Sequence, residues 1–175
     1  MRTVIKTYKF KLYQSKKNKY LNDSIDIAAS IWNYCIAMHR RYYRLFGKYI
    51  SANRLKTHIA KVKRTIHPEW KALGRQAIQD VVERVDCSYK AFFNHLKQKR
   101  HGKKSPPSFK KRSRYSSFTL KQAGYAFHDD NSVIILGRRY RRDHQNTHSE
   151  AQCLGRVLSF RRYQTRMQRH LSTSR

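Results

Sequence analysis

Acidic residues are scarce in this chain of 175 residues: ten Asp and Glu stand against forty Lys and Arg, a formal net charge of +30. So few carboxylates cannot neutralise the surface through salt bridges, and they leave little material for phosphodiester hydrolysis on two divalent ions, which needs several convergent acids. Cysteine is sparse too. Cys35, Cys87 and Cys153 are odd in number and far apart, which fits neither a disulfide framework nor a CxxC zinc site, and the first two read as small apolar residues in helices. No apolar run approaches the roughly 18 residues of a membrane span, and residues 1–8 lack the apolar core of a secretory signal. The nine histidines form neither an HExxH nor a His-x-His pattern. These absences describe a cytoplasmic or nucleoid-associated chain with no membrane partner, no metal or other cofactor and no evident small-molecule substrate.

What is present in excess is positive charge. A compact domain with that imbalance repels itself unless a polyanion supplies counter-charge, which makes nucleic acid the first partner to consider. Hydrophobic content of 39%, with 13% aromatic, is enough for a real core. The length allows one domain or two small ones.

Residues 3–13 alternate with period two, a strand pattern. Ser15 offers an N-cap oxygen, and apolar positions then recur at helical spacing as Leu21, Ile25, Ala28, Trp32, Cys35, His39, Tyr42 and Phe46, up to Gly47. Ser51 caps a second helix with the stripe Leu55, Ile59, Val62 and Ile66, stopped at Pro68. After Gly74 a third helix carries Ile78, Val81 or Val82, Val85, Tyr89, Phe92 and Leu96 and runs out near Gln98. Trp32, Phe92 and Phe93 read as core. Residues 99–115 combine Gly102, Pro106 and Pro107 with dense cations, which forbids a helix and makes a loop suited to phosphates. Ser117–Leu120, Tyr125–Phe127 and Val133–Leu136 read as strands, with Asp129 to Ser132 as a turn. Every lysine lies at or before Lys121; beyond Arg142 the chain turns Arg-rich and loses periodicity. Residues 143–175 are therefore expected to be a disordered or out-of-frame basic tail.

The candidate nucleic-acid contacts follow from this layout. Lys6, Lys9 and Lys11 on the first strand and Lys16 and Lys17 before the first helix would converge with the loop cations Arg100, Lys103, Lys104, Lys110, Lys111, Arg112 and Arg114 in one groove. Tyr13, Phe109 and Tyr115, embedded among cations, are candidates for stacking on unpaired bases. Gln76 and Gln79 at the start of the third helix can bond base edges. Asp80, Glu83 and Asp86 lie at helical spacing and read as solvated or salt-bridged surface acids rather than a catalytic set.

The strings Thr7-Tyr8-Lys9-Phe10-Lys11-Leu12-Tyr13, Ile31-Trp32-Asn33-Tyr34, Ser108-Phe109-Lys110-Lys111 and Ser117-Phe118-Thr119-Leu120 follow one another in an order that resembles the N-terminal part of TnpB, or OrfB. This is an insertion-sequence-encoded "transposase" family related to compact type V CRISPR nucleases, and the resemblance covers about residues 1–142. It implies an α+β fold: a small antiparallel, wedge-like β-barrel from residues 1–13 with 115–142, and a basic three-helix domain with its loop, residues 14–114, inserted between them. It also implies binding of guide-type RNA and target DNA. The family's RuvC nuclease carboxylates and zinc ribbon have no counterpart in this sequence, so the expectation is binding without cleavage. Two readings from other classes compete: a DNA-binding regulator using the second and third helices as a helix-turn-helix, and an RNA-binding protein of ribosomal type.

Overall fold

The computed structural model describes residues 12–13, 15–98, 101–121 and 123–142, together with the backbone of 153–154 and 157–161. Three helices, α1 (Asn18–Phe46), α2 (Ala52–Thr65) and α3 (Arg75–Lys97), are followed by six short strands: β1 (Ser117–Lys121), β2 (Tyr125–Phe127), β3 (Ser132–Ile135), β4 (Arg138–Arg141), β5 (Cys153–Leu154) and β6 (Val157–Arg161). The fold is α+β.

Local chemistry sets the helix ends. Gly47 closes α1 in the left-handed region, where its N–H reaches the Tyr43 carbonyl. The Ser51 hydroxyl accepts from the Arg54 N–H and starts α2. Pro68 cannot continue α2; it opens a six-residue 3-10 segment, Pro68–Leu73, that buries Trp70 and Leu73. Gly74 then turns the chain into α3 with a φ of 78°, and a Cβ there would press within 3.3 Å of Leu136. Only glycine accepts that turn against the sheet without strain. The expected Ser15 cap is not formed: α1 begins after Lys17 without a side-chain cap, and the Ser15 hydroxyl bonds to the Asn18 side chain instead.

Apolar stripes join the helices as their spacing dictates. Leu21, Ile25, Ala28, Trp32 and Cys35 of α1 meet Leu55, Ile59 and Val62 of α2 and Ile78, Val81, Val82 and Val85 of α3 in one core. The N-terminal ends of α1 and α3 both reach the β3–β4 hairpin, through Arg138 stacked 3.5 Å over the Tyr20 ring and through Gly74 against Leu136. The two helices therefore run in the same direction and pack on each other, and α2 returns against α3 and the 3-10 segment. At the helix ends the stripes outrun their partners: Phe46, Phe93 and Leu96 at the far end and Ile66 at the close of α2, all expected in the stripes or the core, are exposed.

The strands make two separate antiparallel sheets, ordered β1-β6-β5 and β2-β3-β4, and neither is closed. The expected barrel is thus not formed by the described strands. Only the end of the expected first strand is described, and it does meet the later strands: Leu12 bridges to Arg142, and the Tyr13 N–H reaches the Arg141 carbonyl at 3.1 Å. The expected tail is corrected in part. Val157–Arg161 pairs along the whole of β1, from Ser117 opposite Arg161 to Lys121 opposite Val157, because β1 otherwise presents a row of unpaired backbone groups. Cys153–Leu154 pairs with β6 in turn, and the rest of residues 143–175 lies outside the described residues.

A buried histidine lies near the far end of the helices. His39 is 4% exposed, stacks on Tyr49 at 4.8 Å and on Tyr89 at 4.5 Å, and has no hydrogen-bond partner at either ring nitrogen. Burial pulls its pKa down to about 4, only partly offset by the charge of Asp86. The unfolded chain binds this proton near pH 6.5 and the folded one does not, so the contribution is intact above pH 6.5 and is lost as pH falls toward 4. The two limits differ by about 3 kcal/mol. His39→Phe, which keeps the ring stack without the titration, is expected to flatten the fall in melting temperature between pH 6.5 and 4; an unchanged pH profile would show that another group controls it.

Candidate nucleic-acid interface

The cationic loop is not a free excursion. Residues 102–116 run back beside α3 and α1 as a strap tied to both helices through side chains. Near its start His95 of α3 bonds the Gly102 carbonyl at 2.9 Å, and the Lys104 ammonium donates to the Ala91 carbonyl at 3.2 Å. Its middle is fixed to α1. The Trp32 indole N–H donates to the Ser108 carbonyl at 3.1 Å, while Asn33 clamps Lys110 from both sides, donating to its carbonyl at 2.9 Å and accepting from its N–H at 2.8 Å. A backbone with two prolines cannot form a ladder of its own, so side-chain amide and indole groups satisfy it. The strings around Trp32 and around Ser108, 76 residues apart, are thus one structural unit.

This arrangement sorts the candidate residues. Lys103, Lys111, Arg112 and Arg114 are exposed along the strap, and Lys16 and Lys17 are exposed at the start of α1. Lys104 is exposed but tied to α3. Lys110 differs from its neighbours: its ammonium lies 4.0 Å from the centre of the Trp32 ring and 5.6 Å from that of Tyr115. Partial burial, with the charge of Arg84 nearby, pulls its pKa below the usual lysine range. Lys110 fastens the strap. Tyr115 is corrected outright: it is 4% exposed and packs at 6.0 Å from Trp32, so its ring belongs to the core and cannot stack on a base. Tyr13 and Phe109 are exposed as expected, and Phe109 lies under the Arg40 guanidinium at 4.6 Å. Gln76 and Gln79 are half-buried, and Gln79 lines a groove of about 380 Å³ between α2 and α3 with Lys56, Lys63, Arg64 and Arg75. Lys6, Lys9, Lys11 and Arg100 lie outside the described residues.

The acids of α3 are committed elsewhere. Asp80 pairs with Arg84 at 2.6 Å and Lys121 at 3.2 Å, and Glu83 pairs with Lys121 at 2.6 Å and Lys56 at 2.7 Å. Hydrogen bonds from Lys121 and then Lys56 hold the Glu83 carboxyl below its ordinary pKa, and the Glu83 bond raises that of Lys121. Asp86 accepts from the Tyr49 hydroxyl at 2.5 Å and pairs with Lys90 at 2.8 Å. Salt bridging is as expected; burial of Asp80 and Asp86 is not. Arg84 extends the network to β1, donating to the Ser117 carbonyl at 3.1 Å and to the Thr119 hydroxyl. Among the described residues there is no group of three His, Cys, Asp or Glu placed to share a metal ion, and no helix long and apolar enough to cross a membrane.

Asn33 and Arg84 carried no sequence signal that singled them out; Asn33 lay inside a quoted string, but its partner lies far along the chain. Asn33→Ala is expected to cost about 1–2 kcal/mol and to speed amide exchange at residues 105–111 more than in the helices. Unchanged protection of the strap in hydrogen-exchange mass spectrometry would mean that Trp32 and Lys110 suffice to hold it. No protein-family model matches the chain, and no curated protein matches its sequence.

Proposed function

We propose that this chain binds nucleic acid along the strap, as the RNA- and DNA-binding lobe of a TnpB-like, transposon-encoded protein. The observation that carries the reading is the clamped strap itself: Lys103, Lys111, Arg112 and Arg114 are exposed on a backbone fixed to α1 and α3, with the nearby acids of α3 already paired. Cations held in register against a rigid support meet a phosphate backbone at smaller entropic cost than a floppy tail would. The resemblance adds the ligands, a guide-type RNA and the DNA it addresses. On the same reading the two open sheets belong to the wedge-like barrel.

The activity proposed is binding rather than cleavage. Two divalent ions about 4 Å apart need bridging carboxylates, and Asp80, Glu83 and Asp86 are bound instead by Lys56, Arg84, Lys90, Lys121 and Tyr49. A helix-turn-helix made of α2 and α3 fits less well, because the link between them holds a six-residue 3-10 segment where that motif has a turn of three or four residues.

Fluorescence anisotropy with an RNA hairpin and a DNA duplex tests the reading. Affinity for both should fall by about a thousandfold between 50 and 200 mM salt. Replacing Lys103, Lys104, Lys111, Arg112 and Arg114 by Ala should weaken binding and make the salt dependence shallower, far more than replacing Lys61, Lys63, Arg64, Lys71 and Arg75 of the α2–α3 side. Salt-independent binding, or equal losses from the two sets, would overturn it.

A further inference from the structure

The far end of the helices exposes several large apolar side chains. Tyr43 is 64% exposed and Phe46 60%, and Phe93 and Leu96 of α3 are exposed at the same end, where both helices terminate. Large apolar side chains gathered on a surface mark an interaction site. Their neighbours in sequence are cations: residues 40–49 read Arg-Arg-Tyr-Tyr-Arg-Leu-Phe-Gly-Lys-Tyr. Cations also occupy the last turns of α1 and α3, as Arg44 and Lys97. The one buried acid near this end, Asp86, is taken by Tyr49 and Lys90. A second copy of this chain would bring the same positive charge against itself, which disfavours a dimer through this face.

The surface is continuous with the strap. Arg40 holds Phe109 of the strap under its guanidinium, and Tyr43 and Phe46 follow it on α1 at successive steps of three residues. Each such step turns the surface by about 60° around the helix axis, so the series leads from the strap round to the end of the bundle. Phe46 is backed by Tyr42 at 4.7 Å, and Phe93 by Tyr49 at 5.8 Å, which supports the exposed rings from behind.

We infer that this end is a platform for unpaired bases: a nucleic acid bound on the strap continues over it as a single strand, with bases stacked on Tyr43 and Phe46 and phosphates facing Arg44 and Lys48. Rings that alternate with cations match a ligand in which flat apolar bases alternate with negative charges, and a duplex, its bases already stacked, cannot use the rings. The inference rests on the strap being the nucleic-acid contact, and the test separates the two.

Binding of a dT15 oligonucleotide and of a 15-base-pair duplex is compared for the parent chain, the five-cation strap variant and the double variant Tyr43→Leu with Phe46→Leu. Both leucine replacements lie on the surface, and unchanged melting confirms the fold. The expected result is about a tenfold loss for dT15 with little change for the duplex in the double variant, against losses for both ligands in the strap variant. Cross-linking of the parent chain to a 4-thiothymidine-substituted oligonucleotide should label Tyr43 or Phe46. Equal effects of the double variant on the two ligands, labelling confined to the strap, or concentration-dependent dimerisation abolished by the double variant would each overturn the platform while leaving the strap reading intact.

Discussion

The joint between α3 and β1 is the contact on which the remaining architecture depends. Arg84 and Lys121 bring cations to Asp80 and Glu83, and Arg84 also reaches the backbone and hydroxyls of β1. Partly buried charges in so basic a protein are tolerable only where opposite charges and hydrogen bonds meet them, and here the scarce acids are spent at that place. The consequence is geometric. Fixing β1 against α3 fixes both ends of the strap, since residues 98 and 117 are then held by the same helix and by the strand docked on it. The strap must follow the groove between α1 and α3, and Trp32 and Asn33 meet it there.

Much of this was legible in the sequence because it depends on local rules. Helix spacing, the Ser51 cap, the Gly47 terminus, the stop at Pro68 and the turn at Asp130 are each decided within a few residues, and all are found. The misplaced residues have one cause. Helical periodicity states which side chains share a face and says nothing about how far the partner helix extends, so Phe46, Phe93 and Leu96 were expected inside although their faces run past the end of the core. Tyr115 was misjudged for the converse reason: flanking cations suggested exposure, whereas contact with Trp32, 83 residues earlier, decides its burial. The pairing of β6 with β1 had no visible signal, because sheet partners are chosen by register across long separations and residues 157–161 carry little alternation.

The positive charge is not spread evenly in its consequences. Lys56, Arg84, Lys90 and Lys121 neutralise acids, and Lys110, Arg40 and Arg138 lie over aromatic rings. These seven side chains hold the fold together and are poorly placed to release counterions to a ligand. The exposed cations of the strap are set apart from them by position rather than by residue type, so composition alone does not tell the two groups apart.

The long separation between β1 and β6 bears on how the protein first forms. Helices α1 to α3 are synthesised once Lys97 has left the ribosome, with Tyr115, Phe118 and the later strands still to close their core, and β1 must wait for Val157–Arg161 before its outer edge is paired. During that interval a nascent chain carries the three helices and an open strand edge side by side, and at ordinary translation rates of about 5–20 residues per second the wait lasts some seconds. An unpaired edge is a site for wrong partners. Rare codons placed between Lys121 and Val157 would lengthen the exposure, so the yield of folded protein should be more sensitive to translation speed there than anywhere upstream.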